Sequence, residues 1–375
     1  MSLLRRLTWE QVRARRLARH HLAKPASRTR LVEVVREVGG IHAQVLSAAE
    51  LALSARVRGL TQEHVSRALW EDRTLVKTWT LRGTLHIHPA DELGLWLAAR
   101  RAVVGDWYFA HEVRPKEAKQ ILAALADALD GCCLTRDELV AAVTPHVSGW
   151  AREHIGSGWG TVLGPAALNG TLVHGPPQGT RVTFVRPDQW FGKQQEWEPV
   201  PALAEILRRY LAAFGPATHN DFAQWVAGSH FKARDAKALL DSVAGELVEA
   251  DVEGKRAWLL AGDAKRPVPP VGVRLIPEYD AYVMGFRERE QLFSPEAVMR
   301  TKAHGKGRLE GPGALSWLVV DGVVAGTWSR KRAGTRIELR VKSFARLTKT
   351  QKHSLADEGD RIGALFDLEP KLTLF

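Results

Sequence analysis

Hydrophobic and polar positions follow a helical spacing at three places, and the same polar signature precedes each of them. The signature, Ser/Thr-x-x-acid or amide, marks a helix start because its two side chains satisfy free backbone amides reciprocally. It occurs at residues 8–11, 135–138 and 218–221, and an amphipathic run follows each one. The pattern therefore predicts three similarly capped helices along the chain.

The second and third signatures are each followed by a further helix and then by two strands. After the second, residues 161–168 form an apolar helix and residues 172–185 two strands around a Gly/Pro turn. After the third, residues 232–243 form a helix and residues 246–260 two strands joined by a Glu-Gly turn. Helices followed by a two-stranded wing form a winged helix-turn-helix, and two copies are a stronger signal than one.

The segment before these units has similar ingredients in a less regular order. Residues 81–88 alternate like a strand, so residues 77–88 are a candidate wing for a third unit. Residues 100–130 are then a helical connector. The three helices that would precede the wing are predicted at residues 28–38, 48–58 and 62–69.

The pattern changes after residue 265. Three prolines between residues 267 and 270 mark a linker, and strand-like runs then flank Asp321-Gly322, a strong hairpin signal. Residues 335–341 alternate cleanly, and residues 329–334 before them are predicted to form a basic hairpin tip. The predicted fold is therefore α+β, with tandem winged helix-turn-helix domains and a C-terminal antiparallel β-containing region.

Charge suggests a class of partner. The 375 residues include 53 Lys and Arg against 42 Asp and Glu, a formal net charge of +11. Such an excess favours a polyanion such as DNA through counterion release and steering. A basic surface without a nucleic-acid partner is the alternative that composition alone leaves open.

Other features argue against a membrane, a secretory signal and a metal centre. No run approaches the roughly 20 apolar residues that span a bilayer, and charged arginines follow the first residues closely, so we expect a cytoplasmic protein. The two cysteines, Cys132 and Cys133, are adjacent and lack zinc-ligand spacing. His86 and His88 would share one face of a strand, but no further ligands accompany them, so hydrogen-bonded histidines are favoured over a metal site.

Charged residues near the C-terminus are further candidates. Arg330, Lys331 and Arg332, with Arg336 nearby, are candidates for phosphate contacts, although a charge run is often only a solvated face. Asp280 lies among aromatic and apolar residues, where a carboxylate can stabilise an oxocarbenium ion. A turn-anchoring or helix-capping role for Asp280 is the favoured alternative.

The joint between two predicted helices carries the most suggestive pair. Two glycines end the first helix, and the signature at residues 47–50 is predicted to begin the next. His42 and Gln44 therefore lie in a non-helical segment, where residues two apart can point the same way. The small Ala43 between them leaves room for a substrate. On spacing alone, a structural role for the pair is favoured.

The chain resembles the AlkZ-like winged-helix DNA glycosylases, whose founding role is resistance to azinomycin-type DNA-alkylating natural products. The resemblance covers essentially the whole chain. The segment containing Thr-Trp-x-x-Arg-Gly-Thr-x-His is its most distinctive part. The segments that carry it are residues 42–44 (His-Ala-Gln), 77–89, 275–286 and 320–328.

The resemblance implies three winged helices in a C-shaped arrangement around DNA. The first winged-helix-like domain would include the helical connector, and the β-rich region would be the last of the four. The implied boundaries are residues 1–115, 116–198, 199–265 and 266–375.

The resemblance also implies the activity, a monofunctional DNA glycosylase that hydrolyses the N-glycosidic bond of alkylated bases in duplex DNA without a cofactor. The family's catalytic motif is similar to Gln/His-apolar-Gln, which places His42 and Gln44 at the catalytic positions; the founding member has glutamine where this chain has His42. Arg82 joins the basic C-terminal residues as a predicted DNA contact. We expect a monomer that acts on N7-alkylguanine-type lesions, including bulky or crosslinked ones.

Two other functions are compatible with winged helices. Such domains are most often found in transcription factors, so a non-catalytic DNA-binding regulator is the main alternative. A repair paralogue without activity is another. Replacing His42 and Gln44 by alanine discriminates the glycosylase from the regulator. The glycosylase would lose base release, whereas the regulator would keep its DNA binding and has no base release to lose.

Overall fold

The computed structural model divides into two compact units. One comprises Met1–Val65 with Leu207–Phe375, and the other comprises Ser66–Ile206. The linker predicted at residues 267–270 lies outside the described residues. The described residues are 5–105, 113–147, 149–157, 160–263, 272–287, 289–304 and 315–375, without the side chains of 229 and 300–304.

Helices make up a large part of the chain. Within the described ranges, none is long and apolar enough to cross a bilayer. In chain order the helices are α1 (Trp9–Arg19), α2 (Leu31–Val38), α3 (Leu46–Ser54), α4 (Gln62–Trp70), α5 (Leu93–Val104), α6 (Pro115–Ala128), α7 (Arg136–Val143), α8 (Gly149–His154), α9 (Leu163–Leu168), α10 (Pro187–Phe191), α11 (Pro199–Phe214), α12 (His219–Ala227), α13 (Ala233–Ser242), α14 (Ala281–Met284), α15 (Pro295–His304) and α16 (Lys349–Phe366).

The strands form small sheets and one larger sheet, so the fold is α+β, as predicted. The strands are β1 (Arg5–Leu7), β2 (Ile41–His42), β3 (Leu75–Trp79), β4 (Leu85–Pro89), β5 (Leu134–Thr135), β6 (Val173–Gln178), β7 (Arg181–Val185), β8 (Leu247–Val252), β9 (Lys255–Leu260), β10 (Val273–Ile276), β11 (Ser316–Val320), β12 (Val323–Ala333), β13 (Arg336–Ser343) and β14 (Glu369–Leu374).

In the unit Ser66–Ile206, helices pack around a core that includes aromatic rings. Leu125, Leu139 and Leu163, from α6, α7 and α9, pack in one cluster with Trp79 and Phe184. Strands β6 and β7 form an antiparallel hairpin, and β5 adds to β7. Strands β3 and β4 form a second antiparallel hairpin in this unit. Helices followed by a hairpin are therefore present here.

The other unit contains the larger sheet, in the order β10-β11-β12-β13-β14. Its pairings are antiparallel except for the parallel pair β13–β14. One face of the sheet packs on α16 and α3, where Leu51 of α3 shares a core with Trp328, Leu339 and Leu355. The same unit contains α12 and α13, together with the part of α11 from Leu207 onwards, followed by the hairpin β8–β9, with β1 paired in parallel to β8. The sheet thus supports the helix that follows the bend at residue 44.

Capping explains where several helices begin. Thr8, Thr135 and Thr218 each form the predicted reciprocal capping box at the start of α1, α7 and α12. A fourth box at Thr348 begins α16, an element that we did not predict from the sequence although its Thr-x-x-Gln351 has the same form. Local polar spacing therefore locates helix starts well in this chain.

Three local predictions are wrong. Helix α3 begins at Leu46 after Val45, and Ser47 is not its cap. The predicted strand at 81–88 is interrupted by a 3-10 turn at Leu81–Gly83, where Arg82 has a φ of +54°. The predicted basic tip at 329–334 is mostly strand, because β12 continues to Ala333 and leaves only a tight turn before β13.

Candidate active site

A tight bend separates α2 from α3 and presents the predicted pair of residues. Helix α2 ends at Gly39 in the left-handed conformation, with a φ of +79°. A Cβ atom there would come within 3.1 Å of the Trp225 ring, so glycine suits both the backbone and the packing. The chain then runs through β2 to a bend at Gln44, which confirms a non-helical joint at this position.

Side chains in the bend alternate between the core and the surface. Ile41 and Ala43 are buried, whereas His42 is half-buried and Gln44 is exposed. This is the alternation of an extended backbone, in which residues two apart share a side. The imidazole and the carboxamide are therefore both on the less buried side of the joint.

Tyr279 contacts His42 from a distant part of the sequence. The two ring centroids lie 4.7 Å apart, with an angle of 30° between the planes. Tyr279 has a φ of +60°, which is a left-handed conformation that costs a non-glycine residue about 1–3 kcal/mol. Surrounding contacts must therefore hold this residue in place.

Glu278, immediately before Tyr279, is bound on one side by Arg330. The two guanidinium Nη atoms donate to the two carboxylate oxygens, each at 3.2 Å, and Ser316 Oγ donates at 2.8 Å. Burial opposes ionisation of Glu278, but hydrogen bonds from Arg330, the backbone and Ser316 outweigh it, so the pKa of Glu278 lies below its usual value. Arg330 Nη2 also donates to Ser47 Oγ at 3.3 Å, near the start of α3.

Asp280, immediately after Tyr279, is held by a second ion pair. Arg56 Nη1 and Nη2 donate to its two oxygens at 2.8 and 2.7 Å, and both side chains are fully buried. Asp280 Oδ1 also accepts from the Tyr282 backbone amide at the start of α14. These contacts are those of an anchoring and capping residue; a direct electrostatic role for Asp280 stays a prediction.

The basic residues of the β12–β13 hairpin are divided between its two faces. Arg330 and Arg332 lie opposite Leu339 and Ile337. They therefore share a face of the hairpin with these two buried residues of β13. Lys331 lies opposite Glu338, on the other face.

Exposure also differs among these residues. Lys331, Arg332 and Arg336 are exposed, and Arg336 pairs with Glu369 at 2.8 Å. Arg330 is only 20% exposed because of its contacts with Glu278.

Arg82 and the paired histidines belong to the other unit. The rings of His86 and His88 stack with centroids 5.9 Å apart, which confirms that they share a face. His88 Nε2 contacts Thr80 Oγ1 at 2.8 Å, and His86 Nδ1 contacts the Thr84 carbonyl at 3.1 Å. Both are buried and hydrogen-bonded. Among the residues that the structure describes, no three His, Cys, Asp or Glu side chains cluster as metal ligands would.

Comparison with known proteins decides what kind of protein this is. A sequence model of the family described as "DNA glycosylase AlkZ-like" matches residues 35–365, a span that includes the bend, the Tyr279 segment and the β12–β13 hairpin. The chain belongs to the AlkZ-like DNA glycosylase family.

Two comparisons of this AlkZ-like DNA glycosylase lead to Streptomyces sahachiroi. An interstrand DNA cross-link repair glycosylase is 34% identical over 337 residues, which cover 86% of this chain and 87% of that protein. The solved structure of the DNA glycosylase AlkZ matches with a TM-score of 0.82 and 29% identity, and it covers 99% of this chain and 100% of that one. The protein is thus a DNA glycosylase with an AlkZ-like fold.

Sequence reasoning singled out part of the candidate site described above and missed the rest. It selected the bend and Asp280, but it missed Tyr279, Glu278 and Arg56. Tyr279 and Glu278 stand beside Asp280 in a segment that carries the resemblance, so proximity was an available signal. Arg56 had none, since no local pattern distinguishes a buried arginine from an exposed one in a helical stretch.

Proposed function

We propose that this DNA glycosylase hydrolyses the N-glycosidic bond of alkylated bases, of the N7-alkylguanine type, in duplex DNA. The observation that supports this most directly is the bend between α2 and α3, where His42 and Gln44 share the less buried side. The family's catalytic pattern, Gln/His-apolar-Gln, falls on these two residues. They are the catalytic residues of the proposal.

The chemistry needs little from the protein at the leaving group. Alkylation at N7 places a positive charge on guanine, so the base departs without a strong general acid. The remaining tasks are to position water and to stabilise an oxocarbenium-like sugar. Gln44 would hold the water through its side-chain carbonyl, and His42 would orient it or accept its proton.

The proposed reaction leaves the DNA strand intact. Strand nicking by a bifunctional glycosylase would need an amine to form a Schiff base with the sugar. Residues 39–47, Gly-Gly-Ile-His-Ala-Gln-Val-Leu-Ser, contain no lysine. We therefore expect an abasic site as the product, and we expect no cofactor to take part.

Bulky and crosslinked adducts are part of the proposed substrate range. The relative that is 34% identical is named an interstrand DNA cross-link repair glycosylase. A half-buried His42 and an exposed Gln44 in a bend suit a large adduct better than a sealed pocket would. A wide range of N7 adducts is therefore the expected specificity.

The finer architecture is also a proposal. Helices followed by a hairpin, α6, α7 and α9 with β6–β7 and α11–α13 with β8–β9, support two winged helices. Helices α2–α4 followed by β3–β4 in the sequence support the third. Their C-shaped arrangement and the four domain boundaries stay predictions of the resemblance.

DNA contacts are proposed for exposed basic residues. Lys331, Arg332 and Arg336 are exposed on the β12–β13 hairpin, and the net charge of +11 favours binding of a polyanion. Arg82, in the turn between β3 and β4, is a fourth predicted contact. Arg330 is included only through its position in the same hairpin, because its guanidinium is engaged by Glu278. A monomeric state and a cytoplasmic location also stay predictions.

The test is incubation with duplex DNA carrying one N7-methylguanine, followed by alkaline cleavage and comparison with DNA without enzyme. We expect an abasic site with the wild type. His42→Ala/Gln44→Ala should bind the duplex normally in a mobility-shift assay and release little base. His353→Ala, which removes an exposed histidine of α16, is the matched control and should keep full activity.

Two results would contradict the proposal. Base release by the double variant at the wild-type rate would show that the catalytic residues are assigned wrongly. A wild-type protein that leaves both N7-methylguanine and a bulkier N7 adduct intact would show that the lesion class is wrong.

A further inference from the structure

Tyr279 contacts His42, but the proposed chemistry assigns Tyr279 no role. Tyr279 is half-buried, and its ring lies 4.7 Å from the imidazole in a tilted stack. We propose that Tyr279 is a positioning residue whose ring fixes the orientation of the His42 imidazole. This inference rests on the proposed function of His42 and deepens it.

The ring makes the contact, and the hydroxyl is not needed for it. Among the described residues, none hydrogen-bonds the Tyr279 hydroxyl. A ring stacked on an imidazole restricts its rotation about χ2, and a catalytic nitrogen that keeps one direction needs such a restriction. A phenylalanine at this position would therefore serve the same purpose.

Two ion pairs hold Tyr279 in its left-handed backbone conformation. Glu278 on one side is bound by Arg330, and Asp280 on the other is bound by the buried Arg56. A non-glycine residue keeps such a conformation only where the neighbouring structure determines it. The ring position is thus set by contacts on both flanking residues.

The Arg330 side chain that binds Glu278 also contacts the residues after the catalytic bend. Arg330 binds Glu278 and also donates to Ser47 Oγ, three positions after Gln44. One guanidinium therefore connects the segment that carries Tyr279 with the start of α3. We assign Arg330 this connecting role, which keeps Tyr279 and the bend in a constant relationship.

The test compares Tyr279→Phe with Tyr279→Leu in steady-state base release from the N7-methylguanine duplex. Tyr279→Phe should retain kcat, whereas Tyr279→Leu should lower kcat by about 10–100-fold, the scale expected when a catalytic group is misplaced. The KM for DNA should not change in either variant. Phe375→Leu, at an exposed aromatic residue outside the site, is the control.

A second readout does not depend on activity. In the wild type and in Tyr279→Phe, the ring current should shift the His42 imidazole proton signals, and in Tyr279→Leu these signals should return towards solvent-exposed values. Glu278→Gln provides a variant if Tyr279→Leu does not fold, and it should lower kcat and reduce the same shift.

The outcomes separate this inference from the proposed function. Wild-type kcat in Tyr279→Leu, or an equal loss in Tyr279→Phe, would overturn the positioning role of the ring. An unchanged His42 spectrum in Tyr279→Leu would overturn it as well. If the His42→Ala/Gln44→Ala enzyme remained active, the assignment of His42 and Gln44 as catalytic residues would fail instead, while the spectra would still report the ring contact.

Discussion

Arg56 and Asp280 illustrate what a single buried pair contributes at the scale of residues. Neither side chain has exposed surface, and the two guanidinium nitrogens donate to both carboxylate oxygens. Removing both charges from water is costly, but each compensates the other, and the Tyr282 amide adds a further hydrogen bond. The loss of one partner would leave the other charged and isolated in the core.

We expect Asp280→Asn to lower the free energy of unfolding by about 3–5 kcal/mol, because Arg56 would remain buried without its countercharge. Urea denaturation measures the change. The control is Asp241→Asn, in the exposed pair with Lys237 at 2.7 Å, where the change should stay within about 0.5 kcal/mol. Equal losses in the two variants would contradict the energetic role of burial.

At the scale of elements, the close packing of α16 on β14 depends on glycine. A Cβ atom at Gly363 would lie 2.7 Å from the Leu368 carbonyl oxygen and 2.8 Å from Pro370 Cδ. At Gly359, one turn earlier, the nearest atom is Leu372 Cδ1 at 3.3 Å, which belongs to a flexible side chain. Helix α16 and the chain that follows it therefore approach each other most closely at Gly363.

Gly363→Ala should destabilise the protein by about 1–3 kcal/mol, although alanine normally improves a helix interior, because the backbone carbonyl cannot move away. Gly359→Ala should change stability by less than about 1 kcal/mol, since Leu372 can adjust and helix propensity improves. Thermal unfolding of the two variants checks this difference. A Gly363→Ala protein as stable as the wild type would mean that the sheet edge yields.

Elements fixed by local spacing were predictable from the sequence, and elements fixed by distant contacts were not. The capping boxes at Thr8, Thr135 and Thr218 follow from side chains three residues apart, and the structure confirms them. Ser47 has the same local pattern, yet its hydroxyl binds Arg330 from β12, and the helix begins at Leu46, two residues before the start that a cap at Ser47 would give. Local rules give way where tertiary contacts compete for the same atoms.

The site shows the same division. The glycines before β2 predict a joint, so the position of His42 and Gln44 outside the helices follows from the sequence. The contact of Tyr279 with His42 depends on how the β10–α14 connection packs against the bend, and periodicity carries no information about it. Long-range pairs of this kind require the structure.

At the scale of the whole molecule, buried histidines connect stability with pH. His20 in one unit and His174 in the other are both buried, and burial lowers the pKa of each well below its ordinary value, with nearby cations adding to the effect. Each is neutral in the folded protein and takes up a proton on unfolding in acid. Stability from these groups is therefore present above the unfolded pKa of about 6.5 and declines below it.

Below pH 6.5 we expect the free energy of unfolding to fall by up to about 1.4 kcal/mol per pH unit for each of these histidines. Urea unfolding between pH 7.5 and 5 measures the slope. His174→Asn should reduce it, whereas His353→Asn, at an exposed position, should not. The same slope in His174→Asn and the wild type would show that this histidine is not the titrating group.

The β12–β13 hairpin has a consequence for anyone who wishes to redesign it. Neighbouring residues of β12 point to opposite faces, so one inserted residue between Trp328 and Arg330 would turn the arginine away from Glu278 and bring a different side chain towards it. Residues can therefore be added after Lys331, at the turn, without disturbing the contact between Arg330 and Glu278. Elsewhere the hairpin must be lengthened by two residues in each strand at a time, which is about 7 Å. The hairpin can therefore be lengthened only in two-residue steps if each side chain is to stay on its present face.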